Sequence, residues 1–447
     1  MKEQHFLVVG AGRSGVAAAK LLLELKKDVT VFDAKEDFDT AAFFEKVGAE
    51  VPFLFGNVQS AQLSCFDVCV VSPGVSLETS IMKAVEAAGI PVWSEIELAF
   101  RLDRGQVVAI TGTNGKTTTT TLTYNIIREW NKSTLLVGNI EIPYTGLVLN
   151  SVEGGCTVAE ISSFQLETMR TVKPKVSAVL NITPDHLDRH KTMENYSALK
   201  MTVAKNQGED DFCVLNYEDG YLREHAKNLH CNVVFFSSQR TLENGVYLEN
   251  NEFVIALNGK REVICRTDEV NLVGMHNFEN ILAAVAMTYC LGVPTEIIRQ
   301  VTKEFTAVEH RIEFVRELNA VKYYNDSKGT NTDAAIKAVD AMPGKTILIG
   351  GGYDKKSDYD EWVSRFPKKV RLLVLIGQTK ENIAAACEKI GFKEYVFAES
   401  MEQAVKICSE SAKPGDCVLL SPACASWGMF SCYQERGNIF KDLVRAL

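Results

Sequence analysis

A glycine-rich turn in the first third of the chain has the residue types needed to hold phosphate. An apolar run that ends at Thr111 leads into Gly112, Thr113, Asn114, Gly115, Lys116, Thr117 and Thr118. Backbone N–H groups of such a turn, and the N-terminus of the helix predicted over 119–130, stabilise an anion. The lysine can reach the terminal phosphates, and the next hydroxyl can bind Mg²⁺. The turn therefore predicts a nucleoside triphosphate site, in a shortened form with Ile110 where the common pattern has glycine.

A second glycine-rich turn follows the first predicted strand. Gly10, Gly12 and Gly15 precede a predicted helix, and Asp33 ends the next strand. This spacing fits the dinucleotide-binding fingerprint, for which NAD is the usual ligand. A further turn, Ser72-Pro73-Gly74, follows another strand of the same region and offers a hydroxyl near that site.

Polar side chains follow the later predicted strands. Glu160 ends a strand and can hold the Mg²⁺ of a bound nucleotide, although Ser162 beside it can equally cap a helix. The stretch 181–190 brings together Asn, Asp and His side chains, of which His186 is a candidate ligand. Lys200 lies in a polar helix, and composition alone predicts a solvent-facing side chain.

Four segments further along the chain carry candidate contacts. Asn277 and Asn280 lie at a helix start, where they can cap the helix or contact adenine. Arg311 follows a predicted linker, from which an arginine can reach phosphate. The loop 325–331 has both signs of charge and predicts an anion or ribose contact, and 421–427 follows the last strand.

Strands and helices alternate along the whole chain, which predicts an α/β fold. The strands predicted first are 6–9, 29–33, 68–72 and 91–93, and a hairpin over 313–325 is predicted to turn at Asn319-Ala320. We expect three consecutive domains: a Rossmann-like domain over 1–102, a central P-loop ATPase-like domain with a small β subdomain over 103–307, and a Rossmann-like domain over 308–447. Ligands of such sheets bind beyond the carboxyl ends of the strands, where all of these loops lie.

Composition limits the classes of function. The net charge of −9 in 447 residues argues against broad binding of nucleic acid or anionic membranes. No apolar run reaches the ~18 residues of a membrane span. The 12 cysteines lie in apolar runs, as expected of reduced thiols in the cytoplasm. We expect a cytoplasmic monomer that binds small molecules, and neither nucleic acid nor membrane.

Together these motifs resemble the Mur ligase family, the ATP-dependent amide-forming ligases of peptidoglycan precursor synthesis, in order along the whole chain. Within the family, Ser163-Phe164-Gln165-Leu166-Glu167 and Ser421-Pro422-Ala423-Cys424-Ala425-Ser426, with Arg436-Gly437 beyond, are most similar to the members that add D-glutamate. The Asp-Asn-Pro-Arg box of the members that add a diamino acid is absent.

The resemblance implies that the L-alanine carboxylate of UDP-N-acetylmuramoyl-L-alanine is joined to D-glutamate, with ATP as the energy source. UDP rather than NAD would occupy the N-terminal site. The implied contacts to the sugar nucleotide are Gly12, Arg13, Ser14, Asp33, Ser72, Pro73, Gly74 and Asn139. Those to ATP are the loop Gly112–Thr118 together with Asn277, Asn280, Arg311 and Asp326. Those to D-glutamate are Thr330, Thr332, Lys355, Ser426 and Tyr433.

The resemblance also implies two Mg²⁺ sites. Thr117 and Glu160 would hold one ion, and His186 with a carbamylated Lys200 would hold the other. The implied catalytic residues are Lys116, His186, Lys200, Arg311 and Lys328. The chain departs from the family with Gly428 where an acidic residue is frequent, and with Tyr433 where Phe is usual.

Three other functions remain possible on the sequence. A folate polyglutamate ligase shares the phosphate loop but does not explain the turn Gly10–Gly15. A dehydrogenase leaves Lys116 without a role. A nucleotide-switch protein would hydrolyse ATP without an amino-acid acceptor.

Overall fold

The computed structural model describes residues 2–140, 142–272, 274–306, 308–354 and 357–447. These residues form two compact units, one made of residues 1–267 and 279–303 and the other of residues 268–278 and 304–447. Two sheets belong to the first unit and a third belongs to the second. The predicted domain limits after residues 102 and 307 stay predictions.

The first sheet has five parallel strands in the order β3-β2-β1-β4-β5. Its central strands are short apolar runs covered on both faces, as in other parallel sheets. The strands are β1 His5–Val9, β2 Asp28–Asp33, β3 Phe53–Phe55, β4 Val68–Val71 and β5 Val92–Ser94. The helices are α1 Arg13–Glu24, α2 Thr40–Val47, α3 Ser60–Leu63, α4 Ser80–Ala87 and α5 Glu95–Phe100. The sequence predicted four of the strands and missed β3.

The second sheet has nine strands in the order β14-β13-β12-β11-β10-β9-β6-β8-β7. The strands are β6 Gln106–Thr111, β7 Thr134–Gly138, β8 Cys156–Glu160, β9 Val176–Val179, β10 Phe212–Asn216, β11 Asn232–Ser237, β12 Gly245–Glu249, β13 Glu252–Leu257 and β14 Lys260–Arg266. The helices are α6 Lys116–Trp130, α7 Ser163–Leu166, α8 Leu187–His190, α9 Met193–Met201, α10 Gly220–Ala226, α11 Met275–Cys290 and α12 Thr295–Glu304. Short 3₁₀ helices span Tyr144–Gly146, Val148–Asn150, Thr202–Ala204 and Thr267–Glu269.

The strands predicted as a small β subdomain extend the second sheet along one edge. β11 pairs in parallel with β12, and β12, β13 and β14 then pair antiparallel. Asn250 and Asn251 form the turn between β12 and β13 with φ of 49° and 62°. Asparagine tolerates this left-handed conformation, which a tight hairpin requires at both turn residues.

The third sheet has six strands in the order β15-β16-β20-β17-β18-β19, and among the described residues β15 and β16 pair antiparallel while the other neighbouring strands pair in parallel. The strands are β15 Glu313–Leu318, β16 Val321–Asn325, β17 Thr346–Gly350, β18 Val370–Leu375, β19 Tyr395–Phe397 and β20 Cys417–Leu420. The helices are α13 Thr332–Ala341, α14 Asp360–Val363, α15 Phe366–Lys369, α16 Lys380–Lys389, α17 Met401–Ser411 and α18 Tyr433–Ala446. The first hairpin turns at Asn319-Ala320, as the sequence predicts.

Two buried glutamates of α5 join the first sheet to the second within the first unit. Glu95 accepts hydrogen bonds from the backbone N–H (2.6 Å) and the hydroxyl (2.8 Å) of Thr145. Glu97 accepts the backbone N–H groups of Arg170 (2.8 Å) and Thr171 (2.9 Å). Burial raises the pKa of Glu95. Burial also acts against the charge of Glu97, but the hydrogen bonds from Thr171 and Arg170 outweigh it and lower that pKa.

The state of the cysteines and the length and polarity of the helices agree with the expectations from composition. All 12 cysteines are free thiols, and most are buried. Burial alone raises the pKa of Cys69 to about 12, which keeps that thiol protonated. Among the described residues, every helix is too short or too polar to span a bilayer.

Replacing Gly15 by alanine should destabilise the protein. A Cβ at Gly15 would lie 1.9 Å from the carbonyl oxygen of Gly10, a backbone atom that cannot rotate away. Overpacking of this kind costs about 1–3 kcal/mol, which exceeds the ~1 kcal/mol that alanine contributes in a helix over glycine. Gly12→Ala is the control, because a Cβ there meets nothing within 4 Å. Urea unfolding of both variants checks the difference, and equal midpoints would refute it.

Candidate active site

The phosphate loop connects β6 to α6 through two glycines with positive φ. Gly112 has φ of 146°, and Gly115 caps α6 with φ of 85°. A Cβ on Gly115 would lie 2.2 Å from the side-chain oxygen of Asn280, so the loop and α11 are in direct contact there. The same Asn280 oxygen accepts a hydrogen bond from Thr119 (3.2 Å). Asn280, which the resemblance assigns to adenine, thus also supports the loop.

Asn181 fixes the loop from the neighbouring strand β9. Its side-chain oxygen accepts the backbone N–H of Asn114 (2.8 Å), its side-chain N–H₂ donates to the Asn114 carbonyl (3.1 Å), and its own carbonyl accepts the N–H of Thr113 (2.9 Å). The hydroxyl of Thr113 lies 3.2 Å from that of Tyr196 on α9. The sequence placed Asn181 in a polar segment but gave it no role. Its position directly after a strand beside the loop was the available signal.

Two lysine side chains donate to the same carbonyl of the loop. Lys116 Nζ lies 2.9 Å from the Gly112 oxygen, and Lys200 Nζ lies 2.8 Å from it. The prediction from composition that Lys200 faces solvent is wrong, since only 1% of the residue is exposed. Helix α9 packs the face that carries Lys200 against the loop, and Lys200 Nζ lies 4.6 Å from the centroid of the Tyr196 ring. Burial, and then the charge of Lys116, hold the pKa of Lys200 well below its ordinary value.

Glu160 ends β8 with one carboxylate oxygen paired and one unpaired. The side chain of Asn139 donates to Oε1 (3.0 Å), and its backbone N–H donates to the Glu160 carbonyl (2.8 Å). Oε2 is buried and has no hydrogen-bond partner among the described residues. An unpaired buried carboxylate oxygen is costly unless a cation or donor meets it, so Glu160 fits a divalent cation. The helix-cap interpretation is also confirmed, because Ser162 caps α7 together with Gln165.

His186 lies at the turn before α8 in a left-handed conformation. Its φ is 52°, and 43% of its side chain is exposed. The ring meets the Phe164 ring edge-on, with centroids 4.8 Å apart. Its Nε2 lies 3.7 Å from an oxygen of the Asp185 carboxylate. The imidazole is therefore held in place and remains accessible to a ligand.

The N-terminal turns predicted for the sugar nucleotide lie together in the first unit. The Asp33 carboxylate accepts the N–H of Ala11 (3.1 Å), and the Ser72 hydroxyl donates to the Gly10 carbonyl (3.0 Å). Gly12 and Arg13 are exposed at the start of α1. These residues surround one end of the first sheet. Asn139, predicted with them, instead contacts Glu160 at the second sheet.

Asp326 anchors the predicted site of the second unit. It accepts hydrogen bonds from the Ser421 hydroxyl (2.7 Å) and from the backbone N–H of Ile312 (3.3 Å). Arg311 Nε is buried without a hydrogen-bond partner among the described residues. Burial raises the pKa of Asp326 to about 7, against the lowering effects of Ser421 and Arg311.

Arg436 organises the loops after β16 and β20, and the sequence gave it no role beyond the resemblance. It donates to the hydroxyl (2.9 Å) and carbonyl (2.7 Å) of Ser327 and to the carbonyl of Cys424 (3.1 Å). The Ser327 hydroxyl in turn donates to the Tyr433 carbonyl (2.8 Å). The guanidinium is fully buried, so it acts as a fixed support.

Further residues that were predicted to bind substrate lie in the second unit. In the second unit, Lys328 lies with its ammonium 5.3 Å from the Tyr433 ring, Ser426 is buried and Thr332 begins α13. Thr330 bonds through its N–H to the Lys328 carbonyl (2.9 Å), and Asn277 is buried in the first turn of α11. Lys355 lies outside the described residues.

Family models match most of the chain. Residues 4–94 match the Mur ligase MurD-like N-terminal domain, residues 110–288 the Mur ligase middle domain, and residues 310–424 the Mur ligase glutamate ligase domain. The chain belongs to the Mur ligase family and is an ATP-dependent ligase of peptidoglycan synthesis. The predicted family and α/β fold class are confirmed.

Curated relatives match over their full length. A protein of Lachnospira eligens named UDP-N-acetylmuramoylalanine--D-glutamate ligase is 51% identical over 100% of both chains. One with the same name from Lachnoclostridium phytofermentans is 48% identical over 99% of this chain and 98% of its own. Among solved structures, the UDP-N-acetylmuramate-alanine ligase of Thermotoga maritima shares the fold, with a TM-score of 0.62 and 18% identity over 99% of both chains. The MurF ligase of Thermotoga maritima in complex with ADP has a TM-score of 0.62 and 18% identity over 94% of this chain and 96% of its own.

The pKa of Asp326 predicts a pH-dependent stability. The pKa of Asp326 is about 7 in the folded protein and 3.8 ordinarily. At a pH between these two values, Asp326 is therefore protonated in the folded protein and ionised in the unfolded chain. The free energy of unfolding should then fall as pH rises from about 4 to 7, by up to about 1.4 kcal/mol per pH unit from this group. Asp326→Asn should lack this component, whereas replacement of the exposed Asp358 by Asn should keep it. Urea unfolding across this range checks the difference, and parallel curves for all three proteins would refute it.

Proposed function

We propose that this protein joins the L-alanine carboxylate of UDP-N-acetylmuramoyl-L-alanine to the amine of D-glutamate, with cleavage of ATP to ADP and phosphate. The observation that carries the proposal is the relative of that name, which is 51% identical over the full length of both chains. This identity extends over the whole chain and therefore over all three sheets. A dehydrogenase or a nucleotide switch would leave these relatives unexplained.

ATP is the second substrate, and its phosphates bind at the loop Gly112–Thr118. This assignment is supported by the left-handed glycines and by the Lys116 ammonium group on the Gly112 carbonyl. A lysine at this position suits the negative charge of a polyphosphate. Asn277, Asn280 and Asp326 contact the nucleoside, and Arg311 and Lys328 contact the phosphates.

The first chemical step activates the carboxylate. An oxygen of the L-alanine carboxylate attacks the γ-phosphorus of ATP, the bond to the β-γ bridging oxygen breaks, and ADP leaves. The product is an acyl phosphate, which carries a good leaving group where the carboxylate had none. Because phosphoryl transfer requires little covalent chemistry from the protein, Lys116 contributes by position and charge.

The second step forms the amide. The neutral amine of D-glutamate attacks the acyl carbon, a tetrahedral intermediate forms, and it collapses with loss of phosphate. The amine nitrogen loses a proton in the process. We assign the carboxylates of D-glutamate to Thr330, Thr332, Lys355, Ser426 and Tyr433.

Magnesium would be held by Thr117 and Glu160 at one site and by His186 and Lys200 at the other. The unpaired buried oxygen of Glu160 supports the first site. When bound, the ions would neutralise charge on the phosphates.

The sugar nucleotide contacts Gly12, Arg13, Ser14, Asp33, the turn Ser72–Gly74 and Asn139. We further infer a cytoplasmic monomer without nucleic-acid or membrane partners, which the net charge of −9 supports.

Lys200 is carbamylated in this proposal. Carbamylation requires a neutral amine, which attacks CO₂ and loses a proton to give an anionic carbamate. The buried Lys200 amine, with its lowered pKa, has the chemistry this reaction needs. The carbamate oxygens are hard ligands of the kind that Mg²⁺ prefers.

Phosphate release should depend on both organic substrates. With ATP, Mg²⁺ and UDP-N-acetylmuramoyl-L-alanine, D-glutamate should accelerate phosphate release at least tenfold over L-glutamate, because the site binds one enantiomer. A colorimetric phosphate assay with a panel of amino acids checks this, with mass spectrometry of the product. Equal release with both enantiomers, or release without any amino acid, would refute the proposed function.

Lys200→Ala should reduce the turnover at least a hundredfold, because it removes the carbamate and its metal ligand. Short carboxylic acids should restore part of the activity, since they can supply the missing oxygens. Lys205→Ala is the control, because Lys205 is exposed on the segment after α9. In ¹³C-bicarbonate, the unmodified protein should show a carbamate resonance that the Lys200 variant lacks. An active Lys200→Ala protein would exclude this role.

A further inference from the structure

Arg189 joins the turn predicted for the sugar nucleotide to the segment that carries His186. It lies on α8, and its guanidinium donates to the carbonyls of Pro73 (3.2 Å, from Nη1) and Val75 (3.0 Å, from Nη2). These carbonyls belong to the turn after β4, whose Ser72 carbonyl accepts the Val75 N–H (3.0 Å). The contact therefore links the first sheet to the second within one compact unit.

Glu167 and Phe164 hold the guanidinium in a single orientation. Nε and Nη2 of Arg189 donate to the two oxygens of Glu167, at 2.9 and 2.5 Å, in a bidentate pair. Arg189 Cζ lies 4.2 Å from the centroid of the Phe164 ring. The two charged side chains are 17% and 14% exposed, so solvent screens the pair only partly. Every contact uses the planar fork of arginine, which lysine cannot reproduce.

The same cluster continues to the candidate catalytic residues. The Phe164 ring that supports Arg189 also contacts the His186 ring, with centroids 4.8 Å apart. Phe164 contacts the His190 ring too (5.5 Å), and His190 stacks on Tyr196 (5.3 Å). The Tyr196 hydroxyl meets Thr113 of the phosphate loop. One continuous set of contacts thus runs from the turn 72–75 through Arg189 to both His186 and the phosphate loop.

We propose that Arg189 is a positioning residue, which fixes the turn 72–75 relative to His186 and so aligns the carboxylate end of the sugar nucleotide with the phosphate loop. This inference rests on the proposed function, because it requires that the nucleotide end of that substrate bind at the turn. Arg189 itself does not need to touch the reacting atoms. Through Arg189, the sugar nucleotide that binds at the first sheet is aligned with the phosphate loop of the second sheet.

The test compares Arg189→Lys with a matched arginine elsewhere. Arg240 also forms a bidentate pair, with Glu218 (3.0 and 2.7 Å), and its Cζ lies 5.2 Å from the Tyr217 ring, but it contacts no described residue of the first sheet. Arg189→Lys should raise KM for the sugar nucleotide about tenfold and lower kcat about tenfold, with KM for ATP and D-glutamate within twofold. Arg240→Lys should leave all four values within twofold.

Glu167→Gln provides a second variant that keeps the side-chain volume and the contacts of Arg189 to the turn. It should shift the same two parameters in the same direction by a smaller factor. Calorimetric titration of the sugar nucleotide without ATP should show weaker binding for Arg189→Lys, which provides a readout independent of turnover. If Arg189→Lys does not fold, Glu167→Gln carries the test alone.

Two results would overturn the proposal while leaving the proposed function intact. One is an unchanged KM and kcat for the sugar nucleotide in a folded Arg189→Lys protein. The other is an equal rise in KM for all three substrates, which would indicate a purely structural role. Failure of the proposed function is distinct, because the unmodified protein would then release no phosphate in response to D-glutamate.

Discussion

Two lysine side chains on one carbonyl oxygen set the electrostatics of the central site. Lys116 and Lys200 both donate to Gly112 O, and Lys200 is almost completely buried. Two ammonium groups so close together would repel each other, and burial would make the repulsion stronger. The protein accommodates the pair by lowering the pKa of Lys200 and by fixing the loop through Asn181 and Tyr196. This leaves Lys116 as the cation of the loop, and a neutral Lys200 amine is the form that the proposed carbamylation requires.

The local parts of this site could be predicted from the sequence. The order of glycines, lysine and threonines between an apolar run and a helix leaves few conformations, so the loop was recognisable without its neighbours. The hairpin at Asn319-Ala320 was predicted for a similar reason, because alternating strands flank a short turn. The family was recognisable because several such local motifs occur in a fixed order, and the matches over 4–94, 110–288 and 310–424 confirm it.

Burial and long-range pairing could not be predicted in this way. Lys200 lies in a helix of polar composition, and nothing in that pattern indicates which side packs against Gly112, 88 residues earlier. The carbonyl acceptors of Arg189 lie 114 and 116 residues away in sequence and belong to backbone groups, which carry no residue-type signal. The sequence therefore indicated the chemistry better than the supports that align it.

The glutamates of α5 also determine how the first unit can be divided. Residues 145, 170 and 171 supply N–H groups to the buried carboxylates of Glu95 and Glu97, and Arg101 also donates to Glu97. A fragment that ended at residue 102 would keep both acidic side chains and Arg101, and would lose the three N–H donors. The second sheet, expressed alone, would in turn have three donors without acceptors. Buried hydrogen bonds therefore join the two sheets within the first unit, and a separation at residue 102 would leave these carboxylates without the N–H groups that stabilise them.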